Sequence, residues 1–96
     1  MKTKKNISKK RLQQLLDELI ALAKTVTSDV EAVITIPGDD GQHAWLKLYV
    51  PDEFVDHVDD LISERVYEIF INDGYDIAAL AYEKSLLQHT AAEAKV

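Results

Sequence analysis

Three side chains of the sequence have the atom types of a divalent-metal site at helical spacing. Glu53 precedes His57 by four residues and Asp60 follows it by three, so one continuous helix would place all three on the same side. Zinc and manganese both accept imidazole nitrogen and carboxylate oxygen as ligands. A divalent-metal regulatory domain is therefore one hypothesis, and a solvated acidic helix without metal is its alternative.

An acidic row surrounds that triplet. Its members recur every four residues: Asp52, Asp56, Asp60, Glu64 and Glu68. Like charges at this spacing repel, by about 0.2–0.5 kcal/mol per pair in isolated helices. Such a row keeps a helix soluble, or it receives a basic segment from the same chain, from a neighbouring copy or from another protein.

Basic residues crowd the opposite end of the chain. Six of the eleven Lys and Arg residues lie within the first eleven positions, although the whole chain has a net charge of −6. The basic arm includes Lys4, Lys5, Lys9, Lys10 and Arg11. Opposed charge blocks favour association with oppositely charged partners. Nucleic-acid binding through this arm is a further alternative, but the negative net charge argues against nucleic acid as a partner.

Patterns typical of catalysis are missing from the sequence. No serine has a histidine at a recognisable spacing, the three glycines form no phosphate loop, and there is no cysteine. Asp39-Asp40-Gly41 lacks the alternating oxygen ligands of a calcium loop. The sequence therefore predicts a non-enzymatic protein without a cofactor. Because no apolar run has membrane length, it also predicts a cytoplasmic protein with no membrane partner.

Periodicity predicts five main elements in the order αββαβ. Ser8 is a candidate N-cap, and the leucines that follow at helical spacing predict a first helix of about five turns. Residues 30–36 and 44–50 predict an antiparallel hairpin because Pro37 and Gly38 begin a turn-rich stretch between them. Pro51 and Gly74 bracket a second helix, and residues 75–82 predict a third strand.

These elements predict an α+β two-layer sandwich, with a three-stranded mixed sheet and two helices on one of its faces. Residues 1–96 are long enough for a single domain. It divides into a basic N-terminal arm at 1–7, a folded core at 8–82 and a tail at 83–96 that has helical potential.

The alternation of side chains along the strands places an apolar face on the side away from the helices. The predicted interface on this face comprises Val33, Trp45, Lys47, Tyr49 and Tyr82. Monomers rarely expose a large apolar patch, so the sequence favours a homodimer with two-fold symmetry, or another protein partner. The function expected from it is protein interaction or regulation, and base stacking on Trp45 and Tyr49 is the less favoured use of the face.

The element order over roughly residues 8–82 resembles that of the αββαβ cytoplasmic domains of cation-efflux transporters. The resemblance lies in the order of elements. It implies dimerisation and divalent-metal binding for a domain of this kind.

Overall fold

The computed structural model describes residues 8–38 and 41–86. Its elements are α1 (Lys9–Lys24), β1 (Glu31–Thr35), β2 (Ala44–Val50), a 3₁₀ turn (Asp52–Phe54), α2 (Val55–Asp73) and β3 (Ile77–Glu83). Residues 84–86 are helical after β3. The α+β class and the three-stranded mixed sheet are confirmed. The N-terminal arm at 1–7 and residues 87–96 of the tail lie outside the described residues.

Helix α1 begins as the sequence predicts. Ser8 has extended backbone angles, and its side-chain oxygen accepts a hydrogen bond from the backbone N–H of Arg11 at 3.1 Å. This contact satisfies one of the N–H groups that a helix leaves free at its start. The buried side of α1 is made by Leu12, Leu15, Leu16, Leu19 and Ala23.

The sheet has β2 at its centre, with β1 antiparallel on one side and β3 parallel on the other. The predicted hairpin of β1 and β2 is therefore confirmed. Along β2, every second side chain is fully buried: Ala44, Leu46, Leu48 and Val50. The residues between them are half-buried and point to the opposite face.

Both helices pack on the face of β2 that carries the buried side chains. Leucines of α1 form one core with Val58, Ile62 and Ile69 of α2 and with the inner residues of the sheet. The helices run antiparallel, since Arg11 contacts Asp73 near one end and Glu18 contacts Arg65 further along. The opposite face of the sheet has no described helix on it.

The helix-facing side of β1 is less covered than that of β2. Ile34 is paired with Leu46 on the helix side, yet Ile34 is 37% exposed and Leu46 is fully buried. Ile36, just beyond β1, is 55% exposed. Helix α2 packs mainly on β3, and α1 packs on α2 and β2. The helix layer is thus displaced from β1, which the periodicity of β1 alone does not reveal.

The sequence predicts the C-terminal end of α2 correctly but not its start. Pro51 and the two acids after it were expected to open an α-helix, but they lead into the 3₁₀ turn, and α2 starts at Val55. At the other end, Gly74 has φ +75° and terminates α2 in the left-handed conformation, as predicted.

Candidate functional site

The open face is the side of the sheet away from both helices, and three rows of paired residues define it. One row is Glu31–Tyr49–Tyr82, the next is Val33–Lys47–Leu80, and the third is Thr35–Trp45–Ala78. The predicted interface residues Val33, Trp45, Lys47, Tyr49 and Tyr82 therefore share one surface. Val33 is 40% exposed and Leu80 is 41% exposed, so apolar side chains of both outer strands meet solvent.

The aromatic residues of the open face are held in place by their neighbours. The rings of Tyr49 and Tyr82 stack with their centroids 5.5 Å apart. The Lys47 ammonium lies 5.1 Å from the centroid of the Trp45 ring, a cation–π contact. Each of the four side chains thus has a specific neighbour on the open face.

Trp45 is half-buried and lies on the open face rather than beneath a helix. Its indole N–H is enclosed and donates a hydrogen bond to no described residue. A buried donor without an acceptor costs about 1–3 kcal/mol. No described residue supplies an acceptor that would offset this cost.

The proposed metal ligands are not brought together. Within residues 8–38 and 41–86, no group of three His, Asp or Glu side chains is placed to hold a metal ion, and this includes Glu53, His57 and Asp60. Glu53 lies in the 3₁₀ turn, whereas His57 and Asp60 lie on α2.

The acidic row does not form one continuous patch. Asp52 accepts hydrogen bonds from the Ser85 hydroxyl at 3.3 Å, and Glu68 pairs with Arg65 at 3.0 Å. Glu64 lines a small groove between α1 and α2 with a volume of about 250 Å³. Asp56 and Asp60 are exposed. A spacing of four residues advances slightly more than one helical turn, so the row drifts around α2.

Arg65 links the two helices in the middle of their contact. Its guanidinium reaches Glu18 of α1 at 2.5 Å and Glu68 of α2 at 3.0 Å. Hydrogen bonding to Glu18 and then to Glu68 raises the pKa of Arg65 above its ordinary value. These contacts join α1 to α2 at the surface of their shared core.

The described part of the basic arm lies at the start of α1. Lys9 and Lys10 are exposed, and Arg11 forms an ion pair with Asp73 at 3.3 Å. Lys4 and Lys5 lie outside the described residues. Arg11 thus meets acidic surface of its own chain, which accounts for one of the three cations that its helix dipole disfavours.

A second surface, which the sequence reasoning missed, runs along the free edge of β3. This edge groove lies between α2 and β3 and has a volume of about 470 Å³. Its lining residues are Ser63, Val66, Tyr67, Phe70, Asp76, Ile77, Ala78, Ala79 and Leu80. On α2, Tyr67 and Phe70 stand outside the buried residues Val58, Ile62 and Ile69, and they are 67% and 52% exposed.

Leu80 belongs to both the open face and the edge groove. Apolar surface therefore continues from Leu80 on the open face, around the edge of β3, to Phe70 on α2. No family model, curated protein or solved structure matches the chain. Function must therefore be argued from these two surfaces.

None of the helices among residues 8–38 and 41–86 has both the length and the apolar composition needed to cross a membrane.

Proposed function

We propose that this chain is a small non-enzymatic interaction module that forms a two-fold dimer through the open face. The observation that carries the proposal is the exposure of Val33 and Leu80 on either side of ordered aromatic residues, on the side of the sheet away from both helices. Exposed apolar patches framed by polar residues are typical of protein interfaces.

The charges of the open face support a second copy as the partner. Among its nine paired positions there is one anion, Glu31, and one cation, Lys47. In a two-fold interface each contact occurs twice, so Glu31 facing the Lys47 of a second copy also places Lys47 against the second Glu31. The face is therefore complementary in charge to itself.

The same two charges determine how the sheets are offset. Lys47 occupies the central position of the face, and direct superposition would place one ammonium on the other. Glu31 lies on the neighbouring strand, two positions along from the partner of Lys47. A shift that brings Glu31 over Lys47 removes the repulsion. Sheets packed face to face are separated by about 10 Å, which long side chains span.

Charge reversal tests this arrangement without truncating the apolar surface. Lys47→Glu and Glu31→Lys each place like charges together and are expected to weaken dimerisation by about tenfold or more. The double variant restores the pairs with their signs exchanged, so its dimerisation is expected to return toward the wild-type constant. Sedimentation equilibrium over a range of protein concentrations measures all three constants.

Lys24→Glu is the matched control, because Lys24 is exposed in the last turn of α1, outside the open face. It changes net charge as Lys47→Glu does and is expected to leave the dimer intact. A wild-type chain that stays monomeric at high micromolar concentration contradicts the proposal. So does a double variant that dissociates as readily as the single variants.

A further inference from the structure

The outer edge of β3, beside the edge groove, is paired with no other strand among residues 8–38 and 41–86. The backbone N–H of Ala81 points away from β2, since it donates a hydrogen bond to the Asp59 carboxylate at 3.1 Å. N–H and C=O groups point to alternate sides along a strand, so those of Ile77 and Ala79 share this outward direction. No hydrogen bond joins these outward groups to a described residue.

The edge groove runs along this edge rather than along one face of the sheet. Its lining includes Ile77 and Ala79, whose side chains point toward the helices, and Ala78 and Leu80, which lie on the open face. Residues of both faces line one cavity only where it adjoins the edge itself. Its β3 side covers five consecutive residues, from Asp76 to Leu80, about 16 Å of extended chain.

Charge distinguishes the ends of the groove from its centre. Asp76 lines one end, and Asp59 and Asp60 lie one helical turn before Ser63 at the other. The middle is apolar, with Val66, Phe70 and Leu80 contributing its walls, and no Lys or Arg lines it. The groove therefore suits a ligand that is apolar in its centre and basic at both ends.

The β3 strand of a second copy lacks the basic ends of such a ligand. Antiparallel pairing of two β3 edges would bring Asp76 of one copy toward Asp59 of the other, which places acid against acid. Such pairing would also compete with the Asp59 carboxylate, which already accepts a hydrogen bond from the Ala81 N–H. The open edge is thus protected against self-pairing at one end, a device that sheet proteins use at exposed strands.

We propose that the edge groove binds an extended peptide segment of a partner protein, which adds to the sheet as a fourth strand beside β3. The backbone of the segment pairs with the outward groups of Ile77 and Ala79. Its apolar side chains enter the space against Val66 and Phe70, and a basic residue at each end meets the acids of the rim. This is the β-augmentation mode of peptide recognition, and it does not depend on dimerisation through the open face.

The probe is a labelled synthetic peptide, acetyl-Lys-Thr-Val-Thr-Val-Thr-Lys-amide, in which valines and lysines share one side of the strand. Fluorescence anisotropy with the full chain is expected to show saturable binding. Replacing both lysines by glutamates is expected to weaken binding by about tenfold or more. Equal affinity for the two peptides, or binding of neither, overturns the proposal.

Two substitutions on neighbouring residues of α2 locate the site. Phe70→Asp alters a groove residue that is already 52% exposed, so the fold tolerates the change, and it is expected to abolish saturable binding. Ile71→Asp is the control, because Ile71 is 59% exposed and does not line the groove. Binding that survives Phe70→Asp, or that Ile71→Asp reduces equally, overturns the proposal.

Backbone pairing between the peptide and β3 can be tested by N-methylating the peptide. In an added strand, N–H groups of alternate residues face β3, so N-methylation at the even positions and at the odd positions of the peptide must differ in effect. One set is expected to lose binding by about tenfold or more, and the other to retain it. Equal losses from both sets contradict strand addition.

Two occupants from the protein itself are also outcomes of these measurements. If the wild-type chain forms a dimer and the Phe70→Asp variant does not, a second copy occupies the groove and the proposal fails. If removal of residues 1–7 raises peptide affinity about tenfold or more, the chain's own basic arm is the occupant and a partner segment is not. Unchanged dimerisation and unchanged affinity in these two experiments support the proposal.

Discussion

The ion pair between Arg11 and Asp73 explains why a cation stands in the first turn of α1, where the sequence makes it look unfavourable. The first turn of α1 holds Lys9, Lys10 and Arg11, where the helix dipole favours acids, and the last turn of α2 holds Asp73, where it favours bases. The antiparallel helices bring these two ends together, and Arg11 pairs with Asp73. Each helix end thus carries the charge that suits its neighbour.

Arg65 is expected to contribute measurably to stability because it joins α1 to α2. Its side chain is 30% exposed, and the carboxylates of Glu18 and Glu68 are more exposed, so the contribution is that of a surface network. Arg65→Ala is predicted to lower the free energy of unfolding by about 1 kcal/mol at low salt and by less at high salt. Urea unfolding at two ionic strengths measures both values.

The matched control for this prediction is Lys24→Ala, which removes a positive charge that makes no ion pair with a described residue. It is expected to change stability by less than about 0.5 kcal/mol. If Lys24→Ala costs as much as Arg65→Ala, net charge is responsible rather than the contacts of Arg65.

The pH dependence of this contribution follows from the raised pKa of Arg65. A basic group whose pKa is raised on folding stabilises the protein fully below its unfolded-state pKa, and the effect is lost only as pH rises through the folded-state pKa. Both values lie far above neutrality for a guanidinium whose pKa is raised by Glu18 and Glu68. The loss caused by Arg65→Ala is therefore predicted to be constant between about pH 7 and pH 10.

Gly74 is a second residue whose type is dictated by local structure. Its φ is +75°, and a Cβ added there would meet no atom within 4 Å, so the only penalty of a side chain is backbone strain. Gly74→Ala is predicted to cost about 1 kcal/mol, and Gly74→Asn less, because Asn tolerates the left-handed region. Thermal unfolding compares the two, and equal losses would contradict a conformational cause.

At the scale of elements, local signals in the sequence were sufficient for much of the fold. The β-branched and aromatic alternation of β2 predicts its bounds as the structure has them, and Ser8 and Gly74 mark the start of α1 and the end of α2 correctly. Alternation also predicts the open face, because it assigns Trp45 and Tyr49 to the side away from the leucines. Each of these signals acts over a few neighbouring residues.

Features that depend on how elements are placed in space could not be predicted in the same way. The exposure of Ile34 arises because the helix layer is displaced toward β3, and the edge groove arises because β3 is the last strand of the sheet. Neither the strand order nor the displacement is encoded in a local pattern. The sequence does not separate the 3₁₀ turn from α2 for a smaller reason, since 3₁₀ turns are frequent at the ends of α-helices.

Because the helices are displaced from β1, substitutions at two paired residues are predicted to differ in how far they lower the free energy of unfolding. Leu46 and Ile34 face each other on adjacent strands, but Leu46 is fully buried and Ile34 is 37% exposed. Leu46→Ala is expected to cost about 2–5 kcal/mol, and Ile34→Ala about 1 kcal/mol or less, because only the first leaves an enclosed cavity. Urea unfolding measures the difference. Similar losses would show that β1 is covered in solution.

At the scale of the whole molecule, the two surfaces differ in chemistry as well as in position. The open face is broad and carries one charge of each sign, which suits an identical surface. The edge groove has acids near its ends and, along its side, backbone groups of β3 that pair with no described residue, which suits an extended basic segment. A dimer with its open faces together leaves both outer edges of β3 available, so it would present two grooves.

Leu80 is the residue at which the two surfaces meet, and it gives the sharpest test of their independence. Val33 and Leu80 flank Lys47 in one row of the open face and are 40% and 41% exposed, but only Leu80 also lines the edge groove. Val33→Asp is predicted to weaken dimerisation by about tenfold or more and to leave peptide affinity unchanged. Leu80→Asp is predicted to weaken both, and Phe70→Asp only peptide binding. Sedimentation equilibrium and anisotropy on the same samples separate these patterns, and a loss of peptide binding in Val33→Asp would mean that the open face and the edge groove form one coupled site.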